Sequence, residues 1–381
     1  MKAFPTLLDL PIYLRSIQLT DFKIIYAPGD GIGPEVIEQS SRILAAIGDR
    51  FGHRFSGDYV PVGADSIEQF GTELTSDTID KCLASDSVLL GACGIAGGAA
   101  VKGRHPELAV LGLRREMQLW TNLRPMKVYD SLLDASPVKR DRLEDVDMLV
   151  LRELTGGIYF AQPKERRIVD GERAAVDTLL YKESEVRRIV RRAFELAGDR
   201  RKHVTSVDKN NVLESSRFWR EIAEDVASDF PDVQLEHVLV DAFAMRLVLS
   251  PRDFDVVVTK NMFGDIITDE MAVLSASLGM MPSASLGNGN KGLYEPIHGA
   301  APDIAGTNQA NPIGTILSAA MMLRLSLGLE DEAKAVESAV ESALAHGFRT
   351  PDIAETKNSA VGTTEMGDVI AQNIISPPVT K

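Results

Sequence analysis

Phe254-Asp255-Val256-Val257-Val258-Thr259-Lys260-Asn261-Met262-Phe263-Gly264-Asp265-Ile266-Ile267-Thr268-Asp269-Glu270 decides the fold class, because its period changes midway. Phe254 to Thr259 is a short run of β-branched and aromatic residues, the composition of a buried strand. If a helix starts near Asp265, the spacing of four puts Asp265 and Asp269 on one face. Further buried strands are predicted at Lys23 to Ala27, Val88 to Gly91, Met148 to Leu151, His203 to Val207 and Leu235 to Val240. Helical patterns lie between them. Glu183 to Ala197 places Val186, Ile189, Val190, Ala193, Phe194 and Ala197 on one stripe, and Asp331 to Ala345 runs until Gly347 stops it. Short apolar runs alternating with longer helical patterns specify an α/β protein.

The chain has 381 residues, 44% hydrophobic and 25% charged, which is a globular profile with length enough for two lobes. Lys and Arg total 41 against 55 Asp and Glu, a formal charge of -14. Such a field repels nucleic acid and anionic membranes, so neither is an expected partner, and an anionic substrate must be captured by a local cluster of cations. Cys82 and Cys93 lack companions at disulfide-framework or zinc-ligand spacing, which fits a reducing cytoplasm. Residues 1–21 contain Pro5, Asp9 and Pro11 and no continuous apolar core, so they read as an N-terminal extension, not a secretory signal. Ile313 to Leu329 is apolar but short, Ser-rich and interrupted by Arg324, which predicts a buried helix and not a membrane span.

Charged residues recur directly after the predicted strands: Arg152 and Glu153, Asp208 and Lys209, Asp241, and the Asp265 segment. Ligands of α/β sheets collect outside strand carboxyl ends, which makes these positions site candidates. Asp265 and Asp269 suit one hard cation, Mg²⁺ or Mn²⁺, with Asp241 as a third oxygen ligand. The competing account of the pair is an acidic first turn favoured by the helix dipole. Arg114, Arg124 and Arg152 present planar forks that would clamp a dicarboxylate, although singly each could be a surface ion pair. Tyr159 follows Gly156-Gly157 and is either a proton donor or core; Lys209 is either a proton-relay base or a solvated lysine. Gly29-Asp30-Gly31-Ile32-Gly33-Pro34-Glu35 departs from the dinucleotide fingerprint, because Pro34 stands at its third glycine. The loop from His298 to Gly306 suits adenosine better, since Asp303 would bond a ribose diol and repel a 2′-phosphate, or it is an ordinary Gly/Pro-rich turn.

Together these segments resemble the β-decarboxylating dehydrogenases, the family of isopropylmalate, isocitrate, homoisocitrate, tartrate and malate dehydrogenases. The residues that carry the resemblance are Gly29 to Glu35, Leu113-Arg114, Asn122 to Pro125, Arg152 to Phe160, Ser206 to Lys209, Asp241-Ala242, Gly264 to Asp269 and His298 to Gly306, and it spans roughly Lys23 to Gly367. It implies a two-lobed isopropylmalate/isocitrate dehydrogenase-like α/β fold that is not Rossmann. Residues 22–119 with 276–381 would form the cofactor lobe, and 120–275 a central lobe carrying metal and substrate residues and a homodimer interface. By resemblance, Arg114, Arg124 and Arg152 hold the substrate carboxylates, Asp265 and Asp269 bind the metal, and Tyr159 is the acid. Lys209 and Asp241 would come from the partner subunit, and Ile32, His298, Gly299, Ala301, Asp303, Ile304 and Asn311 would line an NAD site. The implied reaction oxidises and decarboxylates a 3-substituted malate: Lys209 takes the hydroxyl proton, hydride leaves for NAD⁺, CO₂ departs and Tyr159 protonates the enol. Glu107, Val110 and Leu111 would set the C3 substituent, and apolar Leu108, Val110 and Leu111 favour 3-isopropylmalate over isocitrate. Val110 for the more usual Leu, and Ile95 to Ala100 for a Gly-Pro-Lys-Trp stretch, leave another 3-substituted malate, tartrate or D-malate as alternatives. A non-catalytic regulatory relative is the third reading.

Overall fold

The computed structural model describes residues 20–356 and 359–377. Among them ten strands form one mixed sheet, in the spatial order His53–Ser56, Thr20–Gly29, Ser87–Ala92, Gly292–Pro296, Pro282–Leu286, Thr121–Lys127, Asp147–Glu153, Val256–Thr259, His203–Asp208 and Gln234–Leu239. The first four are mutually parallel, as are the last four. Pro282–Leu286 and Thr121–Lys127 join the two blocks by antiparallel pairing, so the blocks run in opposite directions. The first five strands come from the two ends of the chain and the last five from its middle. A separate antiparallel hairpin pairs Lys164–Val169 with Glu172–Asp177.

Side chains alternate across a sheet, and here the two faces are built differently. One face carries Ile24, Tyr26, Leu89, Leu123, Leu149, Leu151, Val256 and Val258 into a single apolar layer shared by both blocks. The other face carries two clusters. Ile25, Ala27, Val88 and Leu90 belong to one, and Met126, Met148, Val150 and Val257 to the other. Between these clusters the same face presents Asn122, Arg124 and Arg152, all buried. A polar seam therefore opens where the strand direction reverses.

The six predicted strands are all present, with ends moved by at most three residues. The Gln234–Leu239 strand stops before Val240, which opens the helix Val240–Leu249, so Asp241 lies in a first helical turn and not on a strand. Thr121–Lys127 and Pro282–Leu286 were not legible as strands, because Asn, Arg, Ser and Pro replace the apolar residues of a buried strand. Those polar residues line the seam. Ile313–Leu325 is a helix buried through Leu323, and no helix among the described residues is long and apolar enough to cross a membrane. The N-terminal extension lies outside the described residues except for Thr20 and Asp21, which begin a strand.

Candidate active site

The helix that carries Asp265 and Asp269 runs Asn261–Ala272. It starts four residues earlier than the sequence spacing indicated, and its first turn holds no acidic residue. The dipole account of the acidic pair therefore fails, since that effect fades beyond the first turn. Gly264 is needed on this helix, because a Cβ there would stand 2.8 Å from Arg152 Cγ.

Arg114, Arg124 and Arg152 converge on one cleft of about 340 Å³ that Glu107, Val110, Leu111, Tyr159, Asp265, Ser283, Glu295 and His298 also line. All three arginines are at least nine-tenths buried. Arg114, in the last turn of the helix Leu108–Glu116, donates to Glu295 Oε1 at 2.7 Å, and its Nε has no partner. Arg124 donates from Nε to Asn122 Oδ1 at 2.6 Å and also bonds Thr268, while its fork lies 3.8 Å from both Asp265 and Asp269. Arg152 grips Asn261 Oδ1 through Nε at 3.0 Å and Nη2 at 2.9 Å, and its Nη1 bonds Asp265. Burial and the neighbouring Arg152 push the Arg124 guanidinium down to about 9. Arg152 is lowered too, by burial first and by the Arg114 charge, so two buried guanidiniums are held down among like charges, the electrostatic signature of a site awaiting negative charge.

Tyr159 donates its hydroxyl to Asp265 Oδ2 at 2.9 Å. Burial, then the Asp265 charge, hold it up at about 12, so it stays protonated at neutral pH. Asp265 is the opposite case: burial would raise it, but Arg152 and Arg124 outweigh burial and keep it ionised. For Asp269 burial wins and its carboxyl is raised. Tyr159 is set by the turn before it. Gly157 has φ +79, and a Cβ there would lie 2.4 Å from Tyr181 Oη. Buried Glu153 accepts from Thr155 N and Gly156 N and so holds this turn closed.

Lys209 and Asp241 pair with each other, Nζ to Oδ1 at 2.5 Å, and neither lines the cleft. The Asp241 side chain is 65% exposed. Hydrogen bonding from Lys209 lowers the Asp241 carboxyl. Among the described residues no group of three His, Cys, Asp or Glu side chains could hold a metal within one chain.

The two glycine-bearing loops meet beside the cleft. Ile32 N donates to Ala300 O at 2.8 Å, and at Gly31, with φ +57, a Cβ would fall 1.9 Å from that oxygen. Ile32, Val36 and Ala310 pack with Ala301, Ile304 and Ala305. His298 Nδ1 contacts Gly299 O at 2.9 Å, whereas Nε2 has no partner. Asp303 and Gly299 are exposed. The Asn311 amide bonds Asp352 and Met280 and its oxygen accepts from Ile313 N. Leu108 differs from the sequence expectation. It is 46% exposed and off the cleft, whereas Val110 and Leu111 line it: Leu108 is the first residue of the helix, nearly a turn before Leu111 on the same side, and lies beyond the cleft's rim.

Glu295, Asn122, Asn261 and Thr268 escaped the sequence reading. Glu295 was within reach: it follows the short apolar run Gly292-Leu293-Tyr294, the same strand-end signal that singled out Arg152.

The chain matches the family model described as isocitrate/isopropylmalate dehydrogenase over residues 23–370. It is 54% identical over 359 residues to the 3-isopropylmalate dehydrogenase of Geobacillus kaustophilus, covering 93% of this chain and 96% of that one. Identity to the 3-isopropylmalate dehydrogenase of Bacillus subtilis is 50% over 360 residues, covering 93% and 99%. The structure resembles that of isocitrate dehydrogenase from Methylococcus capsulatus with a TM-score of 0.83 at 33% identity, over 93% of this chain and all of that one. A β-decarboxylating dehydrogenase from Thermococcus kodakarensis gives 0.75 at 34% identity over 93% of this chain and 96% of that one. A buried arginine clamp beside an ionised aspartate, at the antiparallel join of a two-block sheet, thus belongs to a member of the isocitrate/isopropylmalate dehydrogenase family.

Proposed function

We propose that the chain oxidises and decarboxylates 3-isopropylmalate with NAD⁺ and Mg²⁺ or Mn²⁺, as a step of leucine biosynthesis. The observation that carries this reading is one cleft in which three buried arginines face an apolar wall of Val110 and Leu111. Likeness over nearly the whole chain to 3-isopropylmalate dehydrogenases supports it. When bound, the metal would polarise the substrate oxygens and NAD⁺ would accept hydride.

The residues fit both groups. Asp265 and Asp269 offer oxygen ligands one helical turn apart, the chemistry that a hard cation requires. Asp241 supplies the third carboxylate from a second copy of the chain. Met245, Val248 and Leu249 on the Asp241 helix, and Ile266 and Val273 at the Asp265 helix, are exposed apolar groups that a homodimer would cover. For NAD, the unpartnered His298 Nε2 and the Ile32–Ala301–Ile304 apolar floor form the cradle, and Asp303 excludes a 2′-phosphate. Asn311 would take part through whatever the internal bonds leave free.

Each side chain then has a task. Arg114, Arg124 and Arg152 orient the malate carboxylates, and Glu107 shapes the C3 pocket. Lys209 of the second copy removes the hydroxyl proton, and Tyr159 delivers a proton to the product carbon. Residues 22–119 with 276–381 serve as the cofactor lobe and 120–275 as the substrate lobe. The two unpaired cysteines fit a cytoplasmic location. The regulatory-subunit alternative is disfavoured, because Tyr159, Lys209, Asp241, Asp265 and Asp269 are all present.

The test is a panel of 3-isopropylmalate, malate, tartrate and isocitrate with Mn²⁺ and either NAD⁺ or NADP⁺, following nicotinamide reduction. Burying the isopropyl group predicts about 10- to 200-fold higher kcat/KM than malate. Greater efficiency with isocitrate, tartrate or malate, or with NADP⁺, would sink the reading.

A further inference from the structure

Three arginines of the helix Glu183–Gly198 stand outside the cleft. Arg188, Arg191 and Arg192 follow one another at helical spacings that put them on one side, and all three line a second cavity of about 420 Å³. Its other walls are Trp120 and Thr121, where the strand Thr121–Lys127 begins, and the loop from Gly287 to Asn290 between the strands Pro282–Leu286 and Gly292–Pro296. The cavity shares no lining residue with the arginine cleft. Glu195 is the one acid in its lining.

In a chain of formal charge -14 such a concentration of cations calls for a reason. Their donors are only partly used. Arg191 is engaged by Asp229, but Arg192 leans on Glu195 at 3.3 Å in a partly exposed pair of little strength. Arg188 donates to Thr155 Oγ1 and, at 3.4 Å, to Glu153 Oε1, both through Nη2, while its Nε is buried without a partner. The Thr121 hydroxyl, on a residue 1% exposed, is unpartnered as well. Folded chains rarely leave buried polar groups unmet, and here two of them belong to the wall of one cavity.

We propose that this cavity binds a phosphate group, as the free ion or as a small phosphate monoester, with Arg188 and Arg192 as the forks that hold it. Three guanidiniums against one carboxylate in the lining favour a dianion, and a phosphate monoester carries about −1.5 to −2 at pH 7. The donors also arrive from different directions. The helix supplies the forks, and the loop supplies Asn288, whose Oδ1 is taken by Trp120 Nε1 at 2.9 Å and whose amide nitrogen is left to donate. A phosphate turns three acceptor oxygens toward such a set, whereas a carboxylate offers two in one plane. Arg188 lies over the Trp120 ring, 5.2 Å from its centroid, so the aromatic face is covered and the phosphate itself is the part recognised. The same guanidinium touches Glu153, which closes the turn before Tyr159, and so ties this cavity to the cleft.

Calorimetric titration of the full-length protein at constant ionic strength, with inorganic phosphate and separately with glycerol 3-phosphate, tests this without any turnover. A saturable event with Kd below about 1 mM is expected for at least one of the two, together with a change in tryptophan fluorescence from Trp120 beneath Arg188. The cleft arginines attract phosphate too, so variants separate the two places. R192M should weaken the event at least about tenfold, whereas R114M, which opens the cleft clamp, should leave it within about twofold. Circular dichroism checks the fold of each, and R192Q replaces R192M if that variant does not fold. Equal binding of both probes identifies the free ion as sufficient, and binding of glycerol 3-phosphate alone identifies an ester. No saturation by either probe up to about 10 mM overturns the proposal. So does binding that R114M abolishes and R192M spares, or malonate binding as tightly as phosphate with the same loss in R192M.

Discussion

Asp265 and Asp241 are both carboxylates beside a cation, yet they sit in opposite circumstances. Asp265 is held by Arg152, Tyr159 and the nearby Arg124 at the wall of the arginine cleft. Asp241 pairs with Lys209 and has a side chain mostly open to solvent on a helix with exposed apolar residues. The first arrangement is electrostatically settled within the chain. The second is the edge of something: a charged pair beside uncovered Met245 and Leu249 has the composition of a surface that a second copy would bury. The difference teaches that the charges of the arginine cleft are balanced within the chain, whereas on the proposed reading the Lys209–Asp241 pair would act only through assembly.

The largest way to break this comparison is to remove the settled carboxylate. D265N deletes the negative charge that Arg152 and Tyr159 share. It should lower kcat by about a thousandfold or more, weaken Mn²⁺ binding, and leave the fold intact by circular dichroism. EDTA should abolish turnover of the natural protein, and full activity in metal-free buffer would refute the assignment.

The next test addresses the unsettled pair. K209A and Y159F proteins should each be nearly inactive, since acid–base groups contribute about 10²–10⁴-fold. If sites are shared, mixing them under verified subunit exchange restores one competent site in each mixed dimer, about a quarter of full activity at random pairing. No recovery would place Lys209 and Tyr159 in the same subunit's site. The smallest effect separates two leucines on one helix. L111A, at the cleft wall, should cost 3-isopropylmalate turnover about tenfold in kcat/KM, whereas L108A, on the exposed side, should change it less than about twofold. Equal losses would mean that the pocket wall lies elsewhere.

Much of the site was legible because strand-to-helix transitions leave a local trace: Arg152, Lys209 and Asp265 all follow apolar runs. The helix Asn261–Ala272 began earlier than the acidic spacing suggested: the Asn261 before Met262-Phe263 was an N-terminal signal that the acidic spacing overrode, and Asn261 is held there by Tyr181 and Arg152. Asn122, Ser283 and Ser285 hid the central strands, since residues that face a polar seam do not look like strand interiors.

What the sequence by itself determined is what propensity and period encode locally: the α/β class, six apolar strands, the amphipathic helix from Glu183, the buried helix from Ile313, and the identities of the charged residues at strand ends. What only the tertiary structure decided is convergence. Arg114 and Glu295 are 181 positions apart, and Arg152 and Asp265 are 113 apart. No local pattern could report that the two parallel blocks run in opposite directions and meet at an antiparallel join, or that Leu111 faces the cleft while Leu108 faces solvent. Those outcomes follow from non-local strand pairing and from which side of each element the apolar layer claims, and such pairings become energetically defined only when the whole sheet closes.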